Sequence, residues 1–238
     1  GRQFSGVTGD EDVPVTWIMR NFPAPTIDVK RTDFGLQIEA RRHLSESRDH
    51  VRVTNLIFPN AIVIPMSKSM AITQWHVPVD DHNCYWYAHF TSYDAPVDKP
   101  RMREQRMELY RLPDYKPRVG RFNEWGYDPS EQKDETYTGM GMDINVHDQW
   151  AVESPGAITD RSRENLAGTD VAISSYRAML LRSMDKAAST ETNAELPLHR
   201  AEGSPAIGPE WHDSIMDSGC PRKEWLDGYR DRRDKAGW

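Results

Sequence analysis

Five short stretches rich in β-branched and aromatic residues, crowded into residues 33–92, constrain the fold of this chain more than any other feature. They read "DFGLQIEARR" (Asp33–Arg42), "VRVTNLIF" (Val51–Phe58), "AIVIP" (Ala61–Pro65), "MAITQWHVPV" (Met70–Val79) and "CYWYAHFTS" (Cys84–Ser92). Such side chains prefer half-buried strands. The polar stretch "HLSESRDH" between the first two predicts a hairpin loop, and Asp80-Asp81-His82-Asn83 predicts a turn between the last two. Short connections of this kind join antiparallel neighbours. An antiparallel sheet of at least five strands is therefore expected.

The remainder is helical or irregular. Pro14, Pro23 and Pro25 interrupt any helix in residues 1–30. Lys99–Leu112 predicts a surface helix, because Met102, Arg106, Leu109 and Leu112 form only part of an apolar stripe. Tyr115–Tyr137, with Pro117 and Pro129, predicts a long loop that is functional or packs on another chain. "NVHDQWAVES" predicts a helix stopped by Pro155-Gly156. "ITDRSRENLAG" predicts another, capped by Thr159 or Asp160 and ended by Gly168. "TDVAISSYRAMLLRSMDKA" predicts the longest helix, capped by Thr169 or Asp170, with Ile173, Tyr176, Leu180 and Met184 as its apolar stripe. Residues 1–189 are then one α+β domain. Residues 190–238, rich in Pro, Gly and charge, predict an extended tail ordered mainly by its neighbours.

Composition removes several function classes. Thirty basic against 37 acidic side chains, a formal charge of -7, argue against a nucleic-acid binder. No apolar run approaches the roughly 20 residues of a membrane span. Residues 1–10 lack a basic-then-apolar leader, so a cytoplasmic location is expected. Two distant cysteines, Cys84 and Cys220, support neither a disulfide framework nor a zinc ribbon nor an iron–sulfur cluster. Mean hydropathy of -0.76 is that of a chain with one moderate core.

Few residues carry an evident chemistry. None of the eight histidines falls in H-x-x-x-H or H-E-x-x-H. His76, His82 and His89 lie on or beside two paired strands, where surface or hydrogen-bonded roles are the simpler reading. His147-Asp148 opens a helix just after Gly139–Met142, and Asp148 is a candidate metal ligand. On spacing alone Asp148 reads more simply as a first-turn acid favoured by the helix dipole, and Glu153 as a surface acid. Ser154 lacks the G-x-S-x-G elbow. Gly139-Met140-Gly141 lacks the further glycine and lysine of a phosphate loop. Asp160, Arg161, Arg163 and Glu164 read as an ion-pair network.

Residues Ile144–Leu181 add a resemblance. His147-Asp148, Glu153-Ser154, Gly156-Ala157-Ile158, Asp160-Arg161-Ser162-Arg163-Glu164, Leu166, Gly168 and Arg177 resemble a pattern of Rieske non-haem iron oxygenases. The pattern belongs to the C-terminal catalytic domain of their large (alpha) subunits, in the phthalate dioxygenase and aromatic O-demethylase branch. Trp75–Phe90 is similar to that family's strand–turn–strand, and Asp33–Arg42 to an earlier strand. The resemblance implies a helix-grip (Bet v1/START-like) fold, an antiparallel sheet curled around a long C-terminal helix. It implies a mononuclear Fe(II) held by two histidines and one aspartate, here Asp148, leaving positions open for dioxygen. Asn55 and Gln74, followed at two-residue steps by Ile57 and His76, occupy strand positions that face an aromatic carboxylate or methoxyarene in related enzymes.

The same resemblance shows what this sequence lacks. The [2Fe-2S] Rieske cluster needs C-x-H and C-x-x-H pairs, and neither occurs. The paired iron-binding histidines come from a segment ahead of the sheet, whereas the first histidine here is His43. A companion polypeptide or N-terminal half carrying both is therefore implied. So are a ferredoxin or reductase fed by NAD(P)H, and a homo-trimer or hexamer. Two other readings use the same scaffold: a non-catalytic small-molecule-binding module, and a structural subunit that braces an oxygenase assembly.

Overall fold

The computed structural model of the chain describes residues 7–8, 13–189 and 208–237. The described residues divide into two compact units, a smaller one of Pro96–Glu164 and a larger one of the rest. In the larger unit β1 (Val7–Thr8) pairs with β2 (Val13–Pro14), and α1 (Val15–Asn21) follows. Six strands then form a meander: β3 (Thr26–Thr32), β4 (Gly35–Ser45), β5 (Arg48–Ile57), β6 (Ala61–Pro65), β7 (Met70–Pro78) and β8 (Cys84–Ser92). All are antiparallel, as the segment spacing predicts. Gly35 opens β4 at φ 150°, where a Cβ would lie 2.1 Å from the Leu56 carbonyl oxygen, so only glycine allows the strands to meet there. At the β7–β8 turn, Asp80 Oδ1 accepts from the Asn83 and His82 amides at 2.7 and 2.8 Å.

The expected loop "HLSESRDH" is mostly strand. β4 and β5 extend through it, leaving only Glu46 and Ser47 to turn. Asp49 is satisfied in place: His43 Nδ1 lies 2.7 Å from Asp49 Oδ1, and Arg41 donates to Asp49 Oδ2 at 3.2 Å. Burial works against the Asp49 charge. The bonds from His43, the Gly219 amide and Arg41 outweigh it and hold this carboxyl below its usual range.

The smaller unit carries α2 (Lys99–Leu109), the two-residue strands β9 (Tyr110–Arg111) and β10 (Lys116–Pro117), α3 (Pro129–Asp134) and α4 (Ile144–Glu153). α2 buries no residue, in line with its broken stripe. The expected loop Tyr115–Tyr137 holds β10, α3 and a 3-10 stretch at Arg121–Gly126. The helix expected from "ITDRSRENLAG" does not form; only Arg161–Arg163 makes a 3-10 turn. Asp160 Oδ1 accepts from the Ser162 amide at 3.0 Å and its hydroxyl at 2.6 Å, and such local bonds compete with helix propagation.

α5 (Val171–Ala188) matches the predicted long helix, but its buried side is rotated. Ala172, Met179 and Ser183 are buried, with Tyr176 and Leu180 beside them, whereas Ile173 and Met184 are exposed. The expected tail is corrected more sharply. Residues 190–207 lie outside the described residues, but His212–Asp217 forms β11 and Arg222–Ala236 forms α6. β11 pairs with Arg48–Val53 of β5, while β6 takes Asn55–Ile57 of the same edge. Each of β11's first three residues is buried.

Directly opposed residues share a face, so the register fixes the two sides of this sheet. On one, Val51, Val53, Val63 and Ala71 meet Trp211, Cys220, Trp225 and Tyr229 from β11, α6 and their connections. On the other, Leu36 and Phe58 meet Met179, and the Tyr176 hydroxyl donates to the Pro59 carbonyl. α6 and α5 thus cover opposite faces. No described helix is long and apolar enough to cross a membrane.

Candidate functional site

α4 owes its position to the residues around it. Asp143 caps it, accepting from the Asn145 amide at 2.9 Å and the Asn145 side chain at 2.8 Å. The preceding Gly139 has φ 67°, and a Cβ there would lie 2.6 Å from the Asp128 carbonyl oxygen. His147 Nε2 donates to the Gly141 carbonyl at 3.0 Å and lies 3.0 Å from Thr138 Oγ1, which assigns the proton to that nitrogen. Asn145 and Val146 are buried beneath the first turn.

Asp148 is exposed and is the fifth residue of α4. The first turn holds no acid, so the helix dipole does not account for this aspartate. Glu153 is not a plain surface acid. Its carboxylate accepts from Trp125 Nε1 at 2.7 Å and Gln149 Nε2 at 3.0 Å, and its carbonyl accepts from Arg121. The turn presenting Trp125 holds both Glu124 and Trp125 at φ 54°, a left-handed conformation costing about 1 kcal/mol or more per residue. Asp160, expected in an ion-pair network with Arg161, Arg163 and Glu164, accepts from the amide and hydroxyl of Ser162.

The four strand positions belong to the larger unit, and the register separates them. Asn55 opposes Val63, which opposes Thr73, whereas Gln74 opposes Ile62 and Ile62 opposes Leu56. Asn55 and Ile57 therefore share the α6 face, and Gln74 and His76 the α5 face. Asn55 is fully buried, donating to the Glu210 carbonyl at 2.9 Å and accepting from Gln37 at 3.3 Å. His76 is exposed and stacks on Trp86 across the strand pair, ring centroids 5.7 Å apart. Asp148 lies in the other unit.

Among the described residues, no group of three His, Cys, Asp or Glu side chains could hold a metal ion. His147 next to Asp148 already spends its Nε2 on Gly141. These residues do not by themselves fit a mononuclear iron site.

One buried charged group gives no sequence signal, because it falls where a loop is predicted. His50 and Asp213 are fully buried, His50 Nε2 is 2.7 Å from Asp213 Oδ1, and Arg52 pairs with the other oxygen. On the opposite face His212 lies 2.7 Å from Ser214 Oγ. Burial, reinforced by Arg232, pushes the His212 imidazole down to about 3, so it is neutral in the fold. The unfolded chain takes up this proton below about pH 6.5 and the fold does not. Stability is accordingly expected to be full above that pH and to fall between about 6.5 and 3, by up to about 1.4 kcal/mol per pH unit. Urea midpoints measured across that range should flatten in His212→Gln; an unchanged slope would reject this origin.

A family model described as LigXa C-terminal domain like matches residues 7–203. Over 189 residues the chain is 26% identical to the phthalate 4,5-dioxygenase oxygenase subunit of Pseudomonas putida, covering 75% of this chain and 42% of that protein. Over 193 residues it is 28% identical to the 3-chlorobenzoate-3,4-dioxygenase oxygenase subunit of Comamonas testosteroni, covering 73% and 44%. The chain thus spans less than half the length of the curated relatives it matches.

Proposed function

We propose, for a chain that belongs to the LigXa C-terminal domain-like family, that it is the C-terminal part of a Rieske-type aromatic oxygenase. In the complete enzyme, electrons from NAD(P)H arrive through a ferredoxin or reductase, and dioxygen is used to hydroxylate or O-demethylate an aromatic substrate. The observation that carries this reading is the family match over residues 7–203, joined by similarity to two dioxygenase oxygenase subunits. Asp148 is our candidate for the carboxylate ligand of a mononuclear Fe(II). Two histidines and the Rieske cluster come from a companion N-terminal portion, since the described residues assemble no three-ligand set. The sheet and α5 form the helix-grip core in this reading, and α6 adds a layer on the far face.

The strand residues take different roles. Gln74 and His76 share the less buried face, and we assign them to substrate contact. Asn55 and Ile57 reach a ligand only on the opposite side, where the Asn55 amide already holds Glu210. Gln74→Ala is expected to raise KM about 3- to 10-fold with little change in kcat, the effect of losing one uniform hydrogen bond. Asn55→Ala is expected instead to lower stability by about 1–3 kcal/mol, because Gln37 and the Glu210 carbonyl lose a buried partner. Steady-state kinetics and urea unfolding on both variants separate the two roles; the reverse pattern would exchange them.

Co-production with an N-terminal oxygenase portion tests the reading itself. Bound iron and substrate-dependent oxygen uptake are expected, with phthalate, 3-chlorobenzoate and a methoxybenzoate as probes. Tight binding of an apolar ligand by this chain alone, with neither iron nor oxygen uptake in the assembly, would favour a non-catalytic binding module. An active assembly indifferent to Asp148 would favour a bracing subunit.

A further inference from the structure

At one end of the sheet, the face that carries α5 is charged where a core is normally apolar. Arg42 of β4 stands directly opposite His50 of β5, and Arg52 of β5 stands opposite Asp213 of β11. Residues opposed or two steps apart share a face, so all four lie on one side of the larger unit. His50 and Asp213 are fully buried, and Arg42 is 9% exposed. Both oxygens of Asp213 are taken, Oδ1 by His50 Nε2 at 2.7 Å and Oδ2 by Arg52. Arg42 spends its Nε on the Phe22 carbonyl, at 3.1 Å, just past α1. Arg42 Nη1 and His50 Nδ1 remain. Both are shielded from solvent, and neither has a hydrogen-bond partner among the described residues.

The two atoms are of opposite kinds. Arg42 Nη1 is a donor. His50 Nε2 carries the ring proton that the aspartate oxygen accepts, which makes Nδ1 an acceptor in the neutral imidazole. The charges do not balance either, since two guanidinium groups share one carboxylate. Burial, and then the Arg52 charge, lower the pKa of Arg42, and Asp213 acts against them. Arg48, further along the same face, does not change this count, because Asp217 stands opposite it in the register. A partner for this place must be negative, accept from a guanidinium and donate to an imidazole. Water is not negative, and a halide cannot donate.

We propose that Arg42 and His50 bind one small monovalent oxyacid anion that keeps an O–H group, bicarbonate being the simplest example. Its ionised oxygen accepts from Arg42 Nη1 and its O–H donates to His50 Nδ1. The bound charge offsets the second guanidinium, which is costly to leave buried and unpaired. Arg42, His50 and Asp213 come from three neighbouring strands, so the anion fastens β11 to β4 across β5. The inference uses no residue of the oxygenase reading, and its test measures neither iron nor turnover.

Urea unfolding of the whole chain tests it at constant ionic strength, with bicarbonate exchanged for gluconate, which is too large for an enclosed site. A pH of about 8 keeps ordinary imidazoles neutral. Above its Kd, each tenfold rise in bicarbonate is expected to raise the folded-to-unfolded ratio about tenfold, as for one ligand bound only by the fold. Formate has the charge but no O–H, so it should need a concentration about tenfold higher, the effect of one missing hydrogen bond. Arg42→Gln should abolish the dependence. Arg42→Lys, which keeps the charge without the planar donor, should shift it to higher concentration. Arg233→Gln, which breaks an exposed pair on α6, should leave it unchanged. A ratio indifferent to bicarbonate overturns the proposal, because water then suffices. So does a dependence that survives in Arg42→Gln, or formate acting at the same concentration as bicarbonate. The comparison of the two anions needs no variant, so it decides even if Arg42→Gln does not fold.

Discussion

Asp213→Ala is expected to lower the unfolding free energy by about 3–5 kcal/mol, the usual cost of deleting one partner of a buried ion pair. Asp213 and His50 are both 0% exposed, and Arg52, pairing with the same carboxylate, is 12% exposed. Arg42 lies near enough for its charge to be stabilised by Asp213, and burial has already lowered its pKa. Removing the carboxylate leaves the Arg52 and Arg42 guanidinium groups facing one another in a region with little water. His50 cannot compensate, since its Nδ1 has no hydrogen-bond partner among the described residues. Asp213→Asn keeps the volume and loses the charge, so an intermediate loss is expected. Urea denaturation followed by tryptophan fluorescence reads the right elements, because Trp211 and Trp225 are buried beside β11 and in α6. Exposed pairs on α6 set the contrast: Lys235–Asp231 at i,i+4 is worth only a few tenths of a kcal/mol. A loss of that size at Asp213 would refute the buried pairing.

Asp148→Ala is expected to act in the opposite way, leaving the fold and removing the metal. The side chain is exposed and lies beyond the first helical turn, and alanine is the better helix former. The unfolding free energy should therefore change by about 0.5 kcal/mol or less. In the complete assembly, iron content should fall to background and substrate-dependent oxygen uptake should cease. Asp148→Asn, which keeps the shape but not the charge, should lose most of the iron. Metal analysis of the purified assembly, alongside far-UV circular dichroism, makes the comparison. Iron and turnover unchanged in Asp148→Ala would remove this residue from the reaction.

Much of the architecture is legible in the sequence because it depends on local patterns. The five strand-rich stretches between residues 33 and 92 and the helix at Val171–Ala188 carry periodicities that tertiary contacts reinforce. The failures have non-local causes. "HLSESRDH" reads as a loop because its residues are polar, and only the pairing of Arg41, His43 and Asp49 makes strand the better state. α6 has too many charges to look like a core element, yet Trp225 and Tyr229 are enough to anchor it. Asn55 and Gln74 look equivalent by strand position, but their opposite faces follow from the offsets at β6, which no single segment displays. At the site, the Asp148 helix is readable, while the clasp of Trp125 on Glu153 depends on a left-handed turn without glycine at its two central positions.

The shared edge of β5 has a consequence for biosynthesis. Arg48–Val53 finds its partner in His212–Asp217, more than 150 positions later in the chain. Contacts so distant in sequence close slowly. During translation the meander can assemble while that half-edge, with its apolar Val51 and Val53, still offers unpaired backbone groups to any neighbour. Ribosome-bound chains released before residue 217 should therefore be sticky, and yield in the cell should depend on how quickly the last strand arrives.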